Sequence, residues 1–253
     1  IADSDVLLWC KGIATANNFD VNLSEPDVSP LSLQGPKAPL VMKKILGQWA
    51  YELKFFYFKE TNIENIPVVL ARTGWSGETG YEIFLRDGSL GNKLWEIIMS
   101  AGKNFNIAPA APSQINRIEG GMLSYGSDMT LEQNPYDINL GKFVNLDKKS
   151  DFLSKKSLTR IKNEGFKKEL VGIEILGEPF NDYVPDHLIL YFNNEAVGKI
   201  TSSAYSPRLK KNIGLAIINK RDKPISEGYK VNIREKLSEV KICTLPFLRN
   251  KNN

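Results

Sequence analysis

The sequence is poor in histidine and cysteine, with one His and two Cys in 253 residues. Most zinc sites, HExxH metalloproteases and Ser-His-Asp hydrolases need an imidazole at a set distance from other groups, and His187 stands alone in YVPDHLILY. Cys10 and Cys243 lie near opposite ends of the chain without a CxxC partner. We therefore expect no metal site, no disulfide framework, a cytoplasmic location, and a histidine at the surface or at a strand edge.

Long apolar runs are also missing, since no stretch approaches the ~18 apolar residues that a membrane-spanning helix requires. The chain opens with IADSDVLLWC, which has no basic-then-apolar leader, so we expect neither membrane insertion nor a retained export signal. The net charge of +4 comes from 25 Lys and 8 Arg that are scattered along the chain. A basic surface for nucleic acid is therefore not indicated.

Helices and strands alternate in the sequence pattern up to about residue 165. Helical spacing predicts a helix capped by Ser4, followed by a strand at FDVNL. SPLSLQGPKAPLVMKKIL predicts a strand, a turn and a helix. IPVVLART and GYEIFLRDG predict two antiparallel strands joined by the turn GWSGETG. GNKLWEIIMSAGKN predicts a helix with Leu94, Ile97 and Ile98 inward, and SQINRIEGGM predicts a further helix.

The pattern changes beyond KNEGFKKE, where short strands follow one another at regular spacing. These are ELVGIEIL, HLILYF, AVGKITSS, NIGLAII, YKVNI and EVKICTLPF. Such a series predicts a small β-barrel or β-sandwich. We therefore predict an α+β protein with a boundary near Lys167, which separates an α+β region (1–166) from a C-terminal barrel domain (167–253).

The turn ARTGWSGETGYEIF holds the first group of candidate site residues. The glycines of this turn do not match a phosphate-binding loop. Exposing Trp75 at a turn is costly, and Glu82 interrupts an apolar strand, so both are candidates for lining a pocket at the sheet edge. A carboxylate there suits an amino-pyrimidinone edge, because it accepts hydrogen bonds from a ring N–H and an exocyclic NH₂. The alternative is a tryptophan folded over a hydrophobic rim, with Glu82 facing solvent.

Two further stretches hold polar residues of interest. In NRIEGGMLSYGSD, Arg117 is predicted on the helix face away from Ile118, where it either complements the helix dipole or orients a polar ligand. Tyr125 and Asp128 follow in a loop that could close over a ligand. In ITSSAYSPRLKKNIGLAI, the loop around Arg208 is either a solvated hairpin or reaches the same pocket.

These stretches resemble one family. RTGYTGEDGFEI resembles residues 72–83, LRLEAGLCLYGNDI resembles residues 115–129, and TSG…SPSLKKNIGLGYV resembles residues 201–217. LSLQGPKAP at residues 31–39 matches a further segment. Four ordered matches over essentially the whole chain identify it as similar to the folate-binding T-protein superfamily, which contains aminomethyltransferases and dimethylsulfoniopropionate demethylases. The resemblance implies a T-protein-like α+β fold followed by a barrel.

The resemblance also implies a tetrahydrofolate site. Glu82 would bind the pterin edge, Arg117 would help to hold the pterin, and Trp75 would pack beside the ring system. Trp75, together with Tyr81, Tyr125 and Asp128, would contact the substrate. Family members have a further N-terminal segment, including an acidic residue near the folate N5, and the resemblance implies that this chain starts after it.

Within the superfamily, IADSDVLLWCKG, the FFYF run, Trp75 and the C-terminal LPF are most similar to the demethylases. A sulfonium is a cation without N–H donors, and an aromatic face attracts such a cation by ~0.5–2 kcal/mol. The implied reaction transfers a methyl group from a small sulfonium donor to N5 of tetrahydrofolate. The resemblance leaves open whether the protein forms a homodimer. The turn GETG and Phe84 differ from the demethylase pattern. They leave open whether the donor is another methylated or aminomethyl compound.

Two alternatives stay open at this point. One is the aminomethyltransferase of the glycine cleavage system, which must dock an acidic lipoyl carrier protein. A basic patch at Arg208, Lys210 and Lys211 would favour it. The other is a non-catalytic folate-binding protein of the same superfamily, and the absence of a cysteine from NPYDINLGKF counts against it.

Overall fold

The computed structural model describes residues 5–182, 184, 187–220 and 226–248 of the chain. The chain divides between Pro112 and Ser113 into two compact units, the first unit on the N-terminal side and the second unit on the C-terminal side. In the part of the chain that is described, no helix is both long and apolar enough to cross a bilayer.

The first unit combines one sheet with four α-helices. The helices are α1 (Asp5–Ala16), α2 (Ala38–Leu46), α3 (Gln48–Glu52) and α4 (Gly91–Gly102), with 3-10 turns at Gly88–Leu90 and Lys103–Phe105. The strands are β1 (Ser29–Gln34), β2 (Phe58–Ile63), β3 (Ile66–Ala71) and β4 (Gly80–Leu85). They form an antiparallel sheet in the order β1-β4-β3-β2. The sheet is the platform on which the first group of candidate residues sits.

One face of this sheet is buried by the helices. Alternate residues of β4, namely Tyr81, Ile83 and Leu85, point into a core that also receives Met42 of α2 and Leu94 of α4. Each fully buried side chain of this size stabilises the fold by ~1.5–3 kcal/mol. The period of two in the strand therefore sends Glu82 and Phe84 to the opposite face.

The second unit is built around a closed barrel. Its strands are β5 (Lys168–Ile175), β6 (Leu188–Phe192), β7 (Glu195–Ser206), β8 (Lys211–Asn219), β9 (Tyr229–Ile233) and β10 (Lys236–Cys243). They close in the order β10-β5-β8-β7-β6-β9, with every pair antiparallel. The helices α5 (Gln114–Glu119) and α6 (Lys155–Glu164) and a 3-10 turn at Gly141–Phe143 precede the barrel. Helix α5 packs on β7 and β8.

The predicted fold class and most predicted elements are confirmed, including all six barrel strands. His187 is exposed and immediately precedes β6, as expected. The predicted strand at FDVNL is wrong, because residues 19–23 pair with no strand and Phe19 and Val21 are exposed. The predicted cap Ser4 lies outside the described residues. The domain boundary near Lys167 stays a prediction, since the compact units meet at Pro112 and the barrel begins at Lys168.

Candidate functional site

Glu82 lies in the middle of the sheet face that is opposite to the core of the first unit. It pairs with Ser32 on β1 and with Ala71 on β3, and Ala71 pairs in turn with Phe58 on β2. Directly paired residues point to the same side of a sheet, so these four form one row. The neighbouring row on this face holds Pro30, Phe84, Val69 and Glu60. Glu82 is therefore a carboxylate with apolar neighbours in both rows.

The Glu82 carboxylate is half-buried and only partly engaged. Its Oε2 accepts a hydrogen bond of 2.5 Å from the Thr73 hydroxyl. Among the residues that the structure describes, no donor binds the other oxygen, Oε1. Oε1 retains contact with solvent, so it is open to a hydrogen bond from a ligand or from water. The arrangement suits a ligand with paired N–H groups.

The loop of residues 72–79 carries Trp75, which is 44% exposed. Thr73, whose hydroxyl binds Glu82, is two residues before Trp75. The Cα atoms of Thr73 and Trp75 are therefore at most about 7 Å apart. An indole of this kind offers an apolar, polarisable face to a ring or a cation. The first unit thus brings Trp75 and Glu82 into one neighbourhood.

Arg72 and Tyr81 lie on the core side of the same loop. The Arg72 guanidinium donates 2.6 Å hydrogen bonds to the Tyr81 hydroxyl and to Thr79 Oγ1, and it lies 4.6 Å from the Tyr81 ring centroid. The Tyr81 hydroxyl donates to the Ala50 carbonyl at 2.7 Å. Burial raises the pKa of Tyr81 above its ordinary value, despite the lowering effect of Arg72.

These contacts favour a structural role for Tyr81. Its side chain is fully buried, and its hydroxyl is already bonded to two protein groups. The predicted substrate contact of Tyr81 stays a prediction. Arg72 was not among the predicted residues, although its position one residue before Thr73 placed it within the motif.

The second unit contains a buried ion pair between Arg117 and Asp128, at 2.6 Å with both side chains almost wholly excluded from solvent. Arg117 also donates to Gln114 Oε1 at 2.7 Å, to the Met122 carbonyl at 3.1 Å and to Ser202 Oγ at 2.7 Å. Arg117 was expected on a helix face away from Ile118, and the structure buries both side chains. Burial of the guanidinium is possible because this network offsets its desolvation.

Asp128 accepts hydrogen bonds at both carboxylate oxygens. Oδ1 accepts from Thr201 Oγ1 and Ser202 Oγ, each at 2.6 Å. Oδ2 accepts from Arg117 and from the Ser124 backbone N–H at 2.9 Å. This saturation favours a structural role in joining the loop after α5 to barrel strand β7.

The predicted ligand contacts of Arg117 and Asp128 stay predictions beside this structural role. Tyr125 is 39% exposed, and an isolated bridge joins it to Met129. These three residues lie in the second unit, whereas Trp75, Tyr81 and Glu82 lie in the first.

A second buried carboxylate, Glu119, was missed in the sequence. Its Oε1 accepts from Ser206 Oγ at 2.5 Å, and its Oε2 forms a close ion pair with the half-exposed Arg208. The only sequence signal is an acidic residue at the end of α5, immediately after the apolar Ile118 and before Gly120. The loop around Arg208 is therefore tied to α5 within the second unit. In the described ranges, no group of three or more His, Cys, Asp or Glu side chains is placed to hold a metal ion.

Two family models match the chain in order. The one described as "GCVT N-terminal domain" matches residues 1–148, and the one described as "Glycine cleavage T-protein C-terminal barrel domain" matches residues 168–248. The second match covers the closed barrel described above.

Curated relatives include two kinds of transferase. The dimethylsulfoniopropionate demethylase DmdA of Ruegeria pomeroyi is 36% identical over 222 residues, which cover 87% of this chain and 59% of that protein. An aminomethyltransferase of Caldanaerobacter subterraneus subsp. tengcongensis is 33% identical over 232 residues, which cover 90% of this chain and 60% of that protein. The chain thus spans about three fifths of the length of these relatives.

A solved structure shares the fold. The crystal structure of glycine cleavage system aminomethyltransferase T from Bartonella henselae superposes with a TM-score of 0.78 at 20% sequence identity, over 98% of this chain and 67% of that chain. Since the family models match both the α+β part and the barrel in the expected order, the chain belongs to the glycine cleavage T-protein family.

Proposed function

We propose that the full-length protein is a tetrahydrofolate-dependent one-carbon transferase, with Glu82 and Trp75 as pterin-binding residues. The observation that carries this proposal is the Glu82 carboxylate. It sits among apolar neighbours on a sheet face, with one oxygen that no described donor binds. A reduced pterin presents a ring N–H beside an exocyclic NH₂, a pair that matches two carboxylate oxygens.

The residues present fit that ligand in two further respects. The Thr73 hydroxyl holds Oε2 at 2.5 Å, which orients the carboxylate before any ligand binds. Trp75, exposed on the adjacent loop, supplies an aromatic face for the ring system. We extend the proposal to two residues of the second unit, Arg117 as a further pterin-binding residue and Tyr125, with its exposed ring, as a substrate contact.

For the donor, we propose a sulfonium such as dimethylsulfoniopropionate. When bound, tetrahydrofolate supplies the N5 amine that accepts the methyl group. The Trp75 indole would hold the sulfonium by cation–π attraction, which adds no hydrogen bond that the transfer would have to break. As the new N–C bond forms, the C–S bond breaks, the electron pair leaves with a neutral thioether, and the N5 proton is released. Positioning by the protein supplies most of the rate enhancement in such a displacement.

An aminomethyltransferase is the second candidate, because relatives of that name match most of this chain. Its predicted marker was a basic patch for an acidic carrier protein at Arg208, Lys210 and Lys211. Arg208 is paired with Glu119, and Lys211 is paired with Glu174 at 2.8 Å. These carboxylates offset two of the three charges, which favours the sulfonium donor.

The test is calorimetric titration of the full-length protein with tetrahydrofolate. Glu82→Gln keeps the size but replaces one acceptor oxygen by a donor, so we expect the dissociation constant to rise roughly 10- to 100-fold. Glu60→Gln is the matched control, because Glu60 lies on the same sheet face but pairs with Arg86 in solvent. Equal affinity for the Glu82→Gln variant and the wild type would remove the pterin assignment.

The donor is tested by measuring 5-methyltetrahydrofolate formation with purified protein. Turnover of dimethylsulfoniopropionate to this product supports the demethylase assignment. Formation of 5,10-methylenetetrahydrofolate and ammonia from an aminomethylated lipoyl carrier protein, with no turnover of sulfonium donors, would establish the aminomethyltransferase instead.

A further inference from the structure

Gln34, the last residue of β1, places its side-chain amide inside the loop that carries Trp75. The amide nitrogen donates to the backbone carbonyls of Thr73 and Tyr81, at 3.2 Å each. The amide oxygen accepts from the Ser76 hydroxyl at 2.7 Å. A single side chain therefore binds the start and the middle of the loop and the strand that follows it.

Two glycines make room for this amide. A Cβ atom at Gly74 or at Gly80 would overlap the Gln34 amide group, closer than Cβ contacts occur in proteins. Neither glycine has a positive φ, so what these positions require is space rather than an unusual backbone conformation. The amide fills a slot between two backbone segments that any larger residue would close.

Trp75 lies between the tied positions Thr73 and Ser76. Thr73 is bound twice, by its carbonyl to Gln34 and by its hydroxyl to Glu82. Gln34 therefore ties the chain on both sides of the indole that the proposed function places at the pterin. A half-exposed loop of eight residues loses conformational freedom through these bonds before ligand binding, which lowers the entropy cost of binding.

We propose that Gln34 is a positioning residue for the Trp75 loop, and that it determines tetrahydrofolate affinity through Trp75 rather than by touching the ligand. This inference rests on the proposed function. It assigns a role to the polar residue that ends β1 and to the glycines on either side of its amide.

The first experiment is a mutant cycle on tetrahydrofolate binding in the full-length protein. Gln34→Ala removes the three bonds, and we expect its dissociation constant to rise about tenfold. Trp75→Ala alone weakens binding, and the double variant Gln34→Ala/Trp75→Ala binds as weakly as Trp75→Ala does. Gln48→Ala is the matched control and leaves the affinity unchanged, because the exposed Gln48 amide donates to the Glu52 side chain on α3 and not to the Trp75 loop. Independent losses that multiply in the double variant would overturn the inference.

The second experiment tests the slot without a ligand. Gly74→Ala displaces the Gln34 amide and lowers the melting temperature. In the Gln34→Ala background the slot is empty, so Gly74→Ala produces a smaller decrease than it does in the wild type. Equal decreases in both backgrounds would show that Gln34 does not occupy the slot.

The two experiments separate this inference from the proposed function. If the wild-type protein does not bind tetrahydrofolate, the proposed function fails. The melting-temperature cycle still tests whether the Gln34 amide occupies the slot. If the wild type binds and Gln34→Ala binds equally well, the positioning role fails while the pterin assignment stands.

Discussion

Replacing Asp128 by Asn tests whether the buried network of the second unit is structural. The substitution keeps the shape of the side chain but removes its charge, so the buried Arg117 guanidinium loses the carboxylate that offsets its desolvation. The amide oxygen still accepts from Arg117 and Ser124, and its NH₂ group meets the Thr201 and Ser202 hydroxyls, which can rotate to accept. The change is therefore mainly electrostatic.

Removing one partner of a buried ion pair costs about 3–5 kcal/mol, because the remaining charge is left desolvated. In a chain of this length, each kcal/mol lowers the melting temperature by roughly 2–4 °C, so we expect a decrease of about 6–20 °C. Circular dichroism melting gives the temperature, and hydrogen exchange of barrel amides assigns the loss to the second unit.

Glu227→Gln is the matched control, because Glu227 pairs with Lys241 at 3.2 Å with its side chain 69% exposed. An exposed pair of this kind contributes ~0–1 kcal/mol. The double variant Arg117→Gln/Asp128→Asn removes both charges and should recover part of the stability lost in Asp128→Asn. If Asp128→Asn and the Glu227→Gln control have the same melting temperature, the reasoning is refuted. The interpretation of Asp128 as a substrate-binding residue would then be favoured.

Two further predictions concern titratable groups, the buried Tyr81 and the partly buried Cys243. Tyr81→Phe removes the hydroxyl that binds Arg72 and Ala50, so the free energy of unfolding should fall by ~1–3 kcal/mol. Because the folded pKa of Tyr81 is raised, its stabilising contribution is present below about pH 10 and is lost at higher pH; Tyr81→Phe should therefore show a shallower alkaline decline in urea titrations, and parallel declines would contradict this. Burial also raises the pKa of the Cys243 thiol. In a Cys10→Ser variant, the remaining thiol should react with a disulfide reagent near neutral pH more slowly in the native protein than in denaturant, and equal rates would show that it is not protected.

Much of the secondary structure follows from local patterns. The hairpin of β3 and β4 is predictable, because two runs of apolar residues separated by a glycine-rich turn are typical of a pair of antiparallel strands. Strand β2 was not predicted because FKETNI lacks such alternation, and its conformation depends on pairing with β3. Helix α6 was missed for a related reason, since KKSLTRIKNE is mostly polar and buries no residue fully.

The candidate site shows the same division. Alternation along β4 alone sets Glu82 opposite Ile83 and Tyr81, and the motif around Trp75 is legible without coordinates. The partners of Gln34 are not predictable in this way, because Thr73 and Tyr81 are 39 and 47 residues away along the chain. The motif contains the glycines, and only the folded loop shows what fills the space they leave.

The sequence by itself determined most of the strands, the order of an α+β region and a barrel, and the acid and indole of the candidate pterin site. Those features depend on neighbours within a few residues, where periodicity and turn chemistry act. Only the tertiary structure decided that Arg117 is a buried ion-pair partner rather than an exposed one. Its burial depends on Asp128 and on Ser202, which is 85 residues away, and the free energy of a buried charge is set by groups that meet only in the folded chain.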